Sequence, residues 1–265
     1  MRWPARRHLL TLAQLRHRLP AGLKLALLAL ATTGLFLLST PLPLAAAFGA
    51  TGALYASGGA RFALTGLRLL REQPLLQAMA IIMFFGVGVG TLLYNEQAAI
   101  ARRFFPGDAE RTAYYANIDL AINLVTILVQ VFLTRMLLVR FGVGPVLLIP
   151  AVAILLGFAA LTASPLPLLV AVVQIVTRAG EFSLAKPARE TIYTRVDREV
   201  RYKGKAVIDT AVYRGGDLFF VWTHKLLAAF GSAAVFGVGM LVAGAMTFGA
   251  WRLIREQAKL PADPR

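Results

Sequence analysis

Apolar residues in this chain arrive in long runs, such as AIIMFFGVGVGTLL and LPLLVAVVQIV. Backbone inside a bilayer has no water to bond, so it must satisfy its own N–H and C=O groups as a helix or a closed barrel. The runs lack the period-2 alternation of barrel strands, and many reach the ~20 residues that a helix needs to cross the hydrocarbon. Composition agrees: 58% of the 265 residues are hydrophobic and 15% are charged, whereas soluble domains are about half apolar and a quarter charged. The sequence therefore predicts an all-α integral membrane protein.

Eight transmembrane helices can be read, at 23–39, 42–58, 76–97, 113–134, 142–163, 166–185, 206–229 and 232–251. The first two are short and are parted by Pro41 and Pro43, which end helices. A single bent span over 23–58 is the alternative. Charge decides between them. With eight spans both chain ends share one side, and that side holds 21 of the 28 Lys and Arg. Only Arg102, Arg103 and Arg111 fall opposite. Lys24, Arg178, Arg214 and Lys225 lie within or at the edges of spans. Positive charge marks the cytoplasmic side, so both termini are expected there. A single span would put the basic start outside. That start also imitates a signal peptide, but cleavage would leave the second apolar run unexplained.

The chain then divides into a basic cytoplasmic segment at 1–22, two short spans at 23–58, a cytoplasmic amphipathic linker at 59–75, six spans at 76–252 and a tail at 253–265. The net charge of +15 is topological on this reading and does not imply nucleic acid. The absence of cysteine excludes disulfides and thiolate metal sites.

Polar residues within spans carry the functional signal, because ionisable groups in a membrane usually face a cavity or a partner. In the fourth span Asp119, Asn123, Thr126, Gln130 and Thr134 recur at steps of three and four, which share one helical face. They can line a water-filled pathway or bond to other helices. In the sixth, Gln174, Arg178 and Glu181 share a face, and the last two are spaced to pair. In the seventh, Asp209, Tyr213 and Asp217 align at steps of four, with Arg214 placed to neighbour Asp217. Gly215 and Gly216 beside them allow a kink or a close approach. Glu96 lies near the outer end of the third span, whose GVGVGT run suits helix packing. No Walker sequence, metal-ligand spacing of the three histidines, or Ser–His–Asp arrangement points to an enzyme, a metal or a cofactor.

The stretch EFSLAKPARETIYTRVDREVRYKGKAVIDTAVYRGGD resembles the ATP/ADP translocase family, the nucleotide-exchange carriers of plastids and intracellular bacteria. The matching positions are Pro187, Arg189 and Glu190, then Lys203, Gly204, Lys205, Ile208 and Asp209. Upstream, Glu96, Phe105, Pro106 and Asp119 match a second pattern. The resemblance covers 76–252. It implies the C-terminal half of a major-facilitator-type carrier, with membrane Lys and Glu residues taking part in nucleotide transport and Glu96 at one acidic position. It also implies a bacterial inner membrane.

The expectation is a secondary carrier or exchanger of an anionic, phosphate-bearing metabolite, working by alternating access. Arg178, Lys186 and Arg214 would attract the anion. Glu96, Asp119, Asp209 and Asp217 would pair with these cations or bind a coupling proton. Asn123, Gln130, Glu181 and Tyr213 complete the expected pathway. Such carriers have two six-span halves, so this chain is expected to be a truncated or split product, with a missing N-terminal half or a second copy as partner. A non-transporting scaffold or inactive fragment is the alternative.

Overall fold

Pro74 starts the first long helix. Proline at a first helical position gives up no hydrogen bond, since that N–H has no partner within the helix. In the structure, a computed structural model, helix α1 runs Pro74–Phe104. The structure describes residues 64–259, all within the unit Phe62–Arg265. The expected segment 1–22 and spans 23–58 lie outside the described residues.

Five further helices follow α1. Helix α2 is Asp108–Phe141, α3 is Val143–Ala163 and α4 is Pro167–Tyr193. Helix α5 covers 198–228, and α6 is Ser232–Gln257. A short helix over 64–72 precedes them. There is no strand among the described residues. Every helix of the six but α5 is long and apolar enough to cross a membrane. The chain is an all-α, multi-pass membrane protein.

Connections are short, so successive helices run antiparallel. Gly142 and Gly231 turn two of them with φ of 75° and 89°, a region glycine enters without a Cβ clash. At one end lie the 141–143 and 194–197 connections with Arg140, Arg195, Arg198, Arg201 and Arg252. At the other lie Arg102, Arg103 and Arg111. The expected long basic loop is not present: α4 continues to Tyr193 and helix resumes at 198, so Arg201–Lys205 is helical. Hydropathy placed those boundaries, and it falls where charge rises even when the helix continues.

Helix α1 is central, with α5 and α6 packed against it and α3 beyond α6. A Cβ at Gly88 would clash with the Phe220 ring, and one at Gly249 would meet Ile81 at 2.7 Å. These glycines bring α5 and α6 close to α1. Gly216 approaches Phe84 in the same way, at 3.2 Å, while Gly90 and Gly215 face open space. Helix α2 is mostly exposed and touches chiefly α4.

Among the described residues four helical stretches are π-helical: Val129–Thr134 in α2, Glu181–Ala185 in α4, and Val200–Gly204 and Ile208–Val212 in α5. A π turn inserts one residue, shifts the register of the helix beyond it and frees carbonyls. The bulges of α2 and α4 face each other. Thr134 Oγ1 donates to the Ser183 carbonyl at 2.7 Å, and Gln130 Nε2 donates to the Phe182 carbonyl at 3.0 Å.

Candidate functional site: a charged cavity between α4 and α5

Two rows of residues on α1, Ile82-Gly86-Gly90-Tyr94 and Met83-Val87-Thr91-Asn95, recur at steps of four. Both line one cavity of about 900 Å³. Small glycines on this face leave the space open. Helices α3, α4, α5 and α6 supply the other walls. Pro150 lies within α3 and also lines the cavity. A Cβ at Gly180 would sit 3.0 Å from the Pro150 Cβ, so α3 and α4 cross closely just before the α4 bulge.

The α4 bulge sets the first ion pair. Glu181 and Arg189 are eight residues apart, ~80° out of line on a straight helix of 3.6 residues per turn. The π turn absorbs one residue, which brings them within ~20° of one face. Arg189 Nη2 reaches Glu181 Oε1 at 2.6 Å, and Nη1 reaches Oε2 at 3.3 Å. The spacing-based pairing of Arg178 with Glu181 is therefore not made, because the bulge gives Glu181 to Arg189.

The second pair joins α4 to α5. Lys205 Nζ bonds both carboxylate oxygens of Glu190, at 2.5 and 2.7 Å, and lies 5.2 Å from the Tyr193 ring centroid. Gly204 beside it lets α5 pass over Leu76, where a Cβ would come within 2.6 Å. The two halves of the sequence motif, Arg189-Glu190 and Lys203-Gly204-Lys205, thus meet in space and clamp one end of the cavity.

Of the residues expected in a pathway, Arg178, Glu181, Lys186, Asp209, Tyr213, Arg214 and Asp217 line this cavity together. Arg178, Lys186 and Arg214 make no hydrogen bond or ion pair among the described residues. Arg214 has only the Tyr213 ring, 5.9 Å from its guanidinium carbon. Arg214 and Asp217 do not form the expected pair; Asp217 accepts from Thr91 Oγ1 at 2.9 Å. The buried Thr177 hydroxyl also lacks a partner among the described residues and lines the cavity.

The remaining expected residues lie elsewhere. Asp119 and Asn123 are exposed on α2, and Gln130 is bonded to the α4 bulge. None of the three lines the cavity. Glu96 is buried and pairs with His224 at 3.0 Å. Sequence reasoning passed over His224 and, in the polar wall beside Asn95, Thr91 and Tyr94. The two i, i+4 rows on α1 were the signal available for that wall.

Comparison with known proteins gives a partial likeness. ADP,ATP carrier protein 1 of Chlamydia muridarum is 26% identical over 168 residues, which cover 56% of this chain and 32% of that carrier. ADP,ATP carrier protein 1 of Chlamydia trachomatis is 24% identical over 168 residues, with the same shares. The chain thus spans 32% of the length of these curated relatives. No protein-family model matches it, and no solved structure does. The chain is a multi-pass helical membrane protein similar, over part of its length, to chlamydial ADP,ATP carriers.

Proposed function

We propose that this chain forms the substrate-facing part of a secondary carrier or exchanger for an anionic, phosphate-bearing metabolite of nucleotide size. The observation that carries this reading is the set Arg178, Lys186 and Arg214, which make no hydrogen bond or ion pair among the described residues around one cavity. Unpaired cations inside a membrane protein are costly, and they persist where a ligand or function compensates them. Arg grips phosphate with two parallel N–H donors, and Lys adds a point charge. The volume of about 900 Å³ lies within the range of small-molecule sites. The likeness to ADP,ATP carriers supports a nucleotide substrate.

In this reading the basic end of the bundle faces the cytoplasm of a bacterial inner membrane. Asp209 and Asp217 balance the three cations when the cavity is empty. The bulges in α4 and α5 let those helices bend, Arg189–Glu181 braces α4 across its own bulge, and Lys205–Glu190 holds the two helices together at one end while access alternates.

Uptake of radiolabelled ATP, ADP and non-nucleotide phosphorylated metabolites into proteoliposomes of the purified chain tests the proposal. The expected result is saturable uptake of a phosphorylated compound, lost in Arg214→Ala while the variant stays folded. Undiminished uptake in that variant removes Arg214 from the site. No uptake of any of them contradicts the carrier reading.

A further inference from the structure

The α1–α5 seam continues past the cavity to a second polar contact. Glu96 Oε2 lies 3.0 Å from His224 Nε2. Glu96 is 3% exposed, and neither residue lines the cavity. Glu96 has no other hydrogen bond among the described residues. A carboxylate buried in a spanning helix is rare without a partner or a task. Imidazole is the side chain whose charge ordinarily changes near neutral pH.

The pair has two states that differ by one proton. With a neutral imidazole it carries one negative charge. With one proton added from water to the imidazole, it is a neutral imidazolium–carboxylate pair. We propose that Glu96 and His224 form a proton-binding site. In the proposed carrier, on whose reading this second part rests, that proton is coupled to movement of the anion.

The seam supplies the route. Thr91 and Glu96 are on α1, and Asp217 and His224 are on α5. The Thr91–Asp217 bond, 2.9 Å long, stands at the cavity wall. Gly88 and Phe220 are packed in the same seam. A change in the pair's charge or spacing therefore bears on two helices that both line the cavity. Loss of the pair's negative charge also favours an anion nearby, so proton and anion should strengthen each other.

Other charges in the neighbourhood are few. Helix α5 contributes Asp217, bonded to Thr91, and Lys225, 4.6 Å from the Trp222 ring centroid. Helix α1 contributes Tyr94, Arg102 and Arg103. The first turn of α2 brings Glu110 and the paired Asp108 and Arg111. Its Tyr114 donates to the Pro167 carbonyl and meets the Tyr115 ring edge-on, with Asp119 a turn further on. Helix α4 has no charged residue before Arg178, and α6 has none before Arg252.

The first test needs no transport. In the purified protein the His224 ring, assigned by loss of its signal in His224→Gln, is followed by NMR from about pH 5 to 8, where imidazoles ordinarily change charge. The ring is expected to titrate, and its midpoint is expected to move in Glu96→Gln. A wild-type ring that holds one protonation state throughout, or a midpoint untouched in Glu96→Gln, overturns the proton site. The second test is ATP uptake into proteoliposomes with and without a pH gradient. The wild type should respond to the gradient by about fivefold, the low end of ordinary coupling between sites, and His224→Gln should not. An equal response in both overturns the coupling. Absence of uptake in every condition counts against the carrier reading, and the ring titration still decides the proton site.

Discussion

Arg214 has a single aromatic neighbour, Tyr213, and otherwise faces the cavity. If its fork grips phosphate, charge alone will not replace it. Arg214→Lys should weaken nucleotide binding about 10-fold, since one of two charge-assisted hydrogen bonds is lost, at ~1.5 kcal/mol, the low end for bonds to charged groups. Isothermal titration with ATP checks this. Glu181 makes a different case. Glu181→Gln leaves Arg189, 9% exposed, without its ion pair. The expected cost is about 1–3 kcal/mol, read as earlier thermal unfolding in detergent. Arg178 and Arg214 were legible as cavity residues because charge inside an apolar run stands out, whereas Lys186 lay just past the end of its run. The ion pairing was not legible, since Arg178 and Glu181 at i, i+3 look paired on a straight helix. The π turn at Glu181–Ala185 reassigns Glu181 to Arg189, and no residue type marks it.

Helix α2 shows what a polar stripe does when it meets a bulge. Its lower half bonds the carbonyls that the α4 bulge exposes, the interhelical role that spacing alone could not separate from a pathway wall. Thr134→Val keeps the shape and removes the donor to Ser183, so it should destabilise the fold by about 1–2 kcal/mol. The α1–α5 seam gives a sharper contrast. Gly88→Ala places a methyl against Phe220 and should lower stability by about 1–3 kcal/mol. Gly90→Ala, two residues on, faces open space and should leave thermal stability unchanged or slightly raised, because alanine favours the helix. The positions of the helices were readable because a hydrophobic run sets where a span lies. Their ends were less so, as the helical stretch Arg201–Lys205 shows. The alignment of Asp209, Tyr213 and Asp217 met the structure, since a step of four nearly closes an α turn and a π turn alike.

At the scale of the molecule, the chain contains no cysteine, so single cysteines report topology without background. Asp197→Cys and Glu110→Cys sit at opposite ends of the bundle. In intact cells a membrane-impermeant maleimide should label the cysteine at 110 and spare the one at 197. The reverse pattern contradicts the orientation drawn from charge. The cavity is also a property of the whole bundle, because five helices line it and the motif halves meet only once α4 and α5 are packed. The measurement that tests the central claim most directly is equilibrium binding of radiolabelled ATP to the purified protein, with competition by ADP, inorganic phosphate and adenosine. Saturable binding displaced by the phosphate-bearing competitors, resistant to uncharged adenosine, and weakened about 10- to 100-fold in Arg214→Ala is expected. No saturable binding, or binding displaced by adenosine as well as by ADP and unchanged in Arg214→Ala, contradicts it.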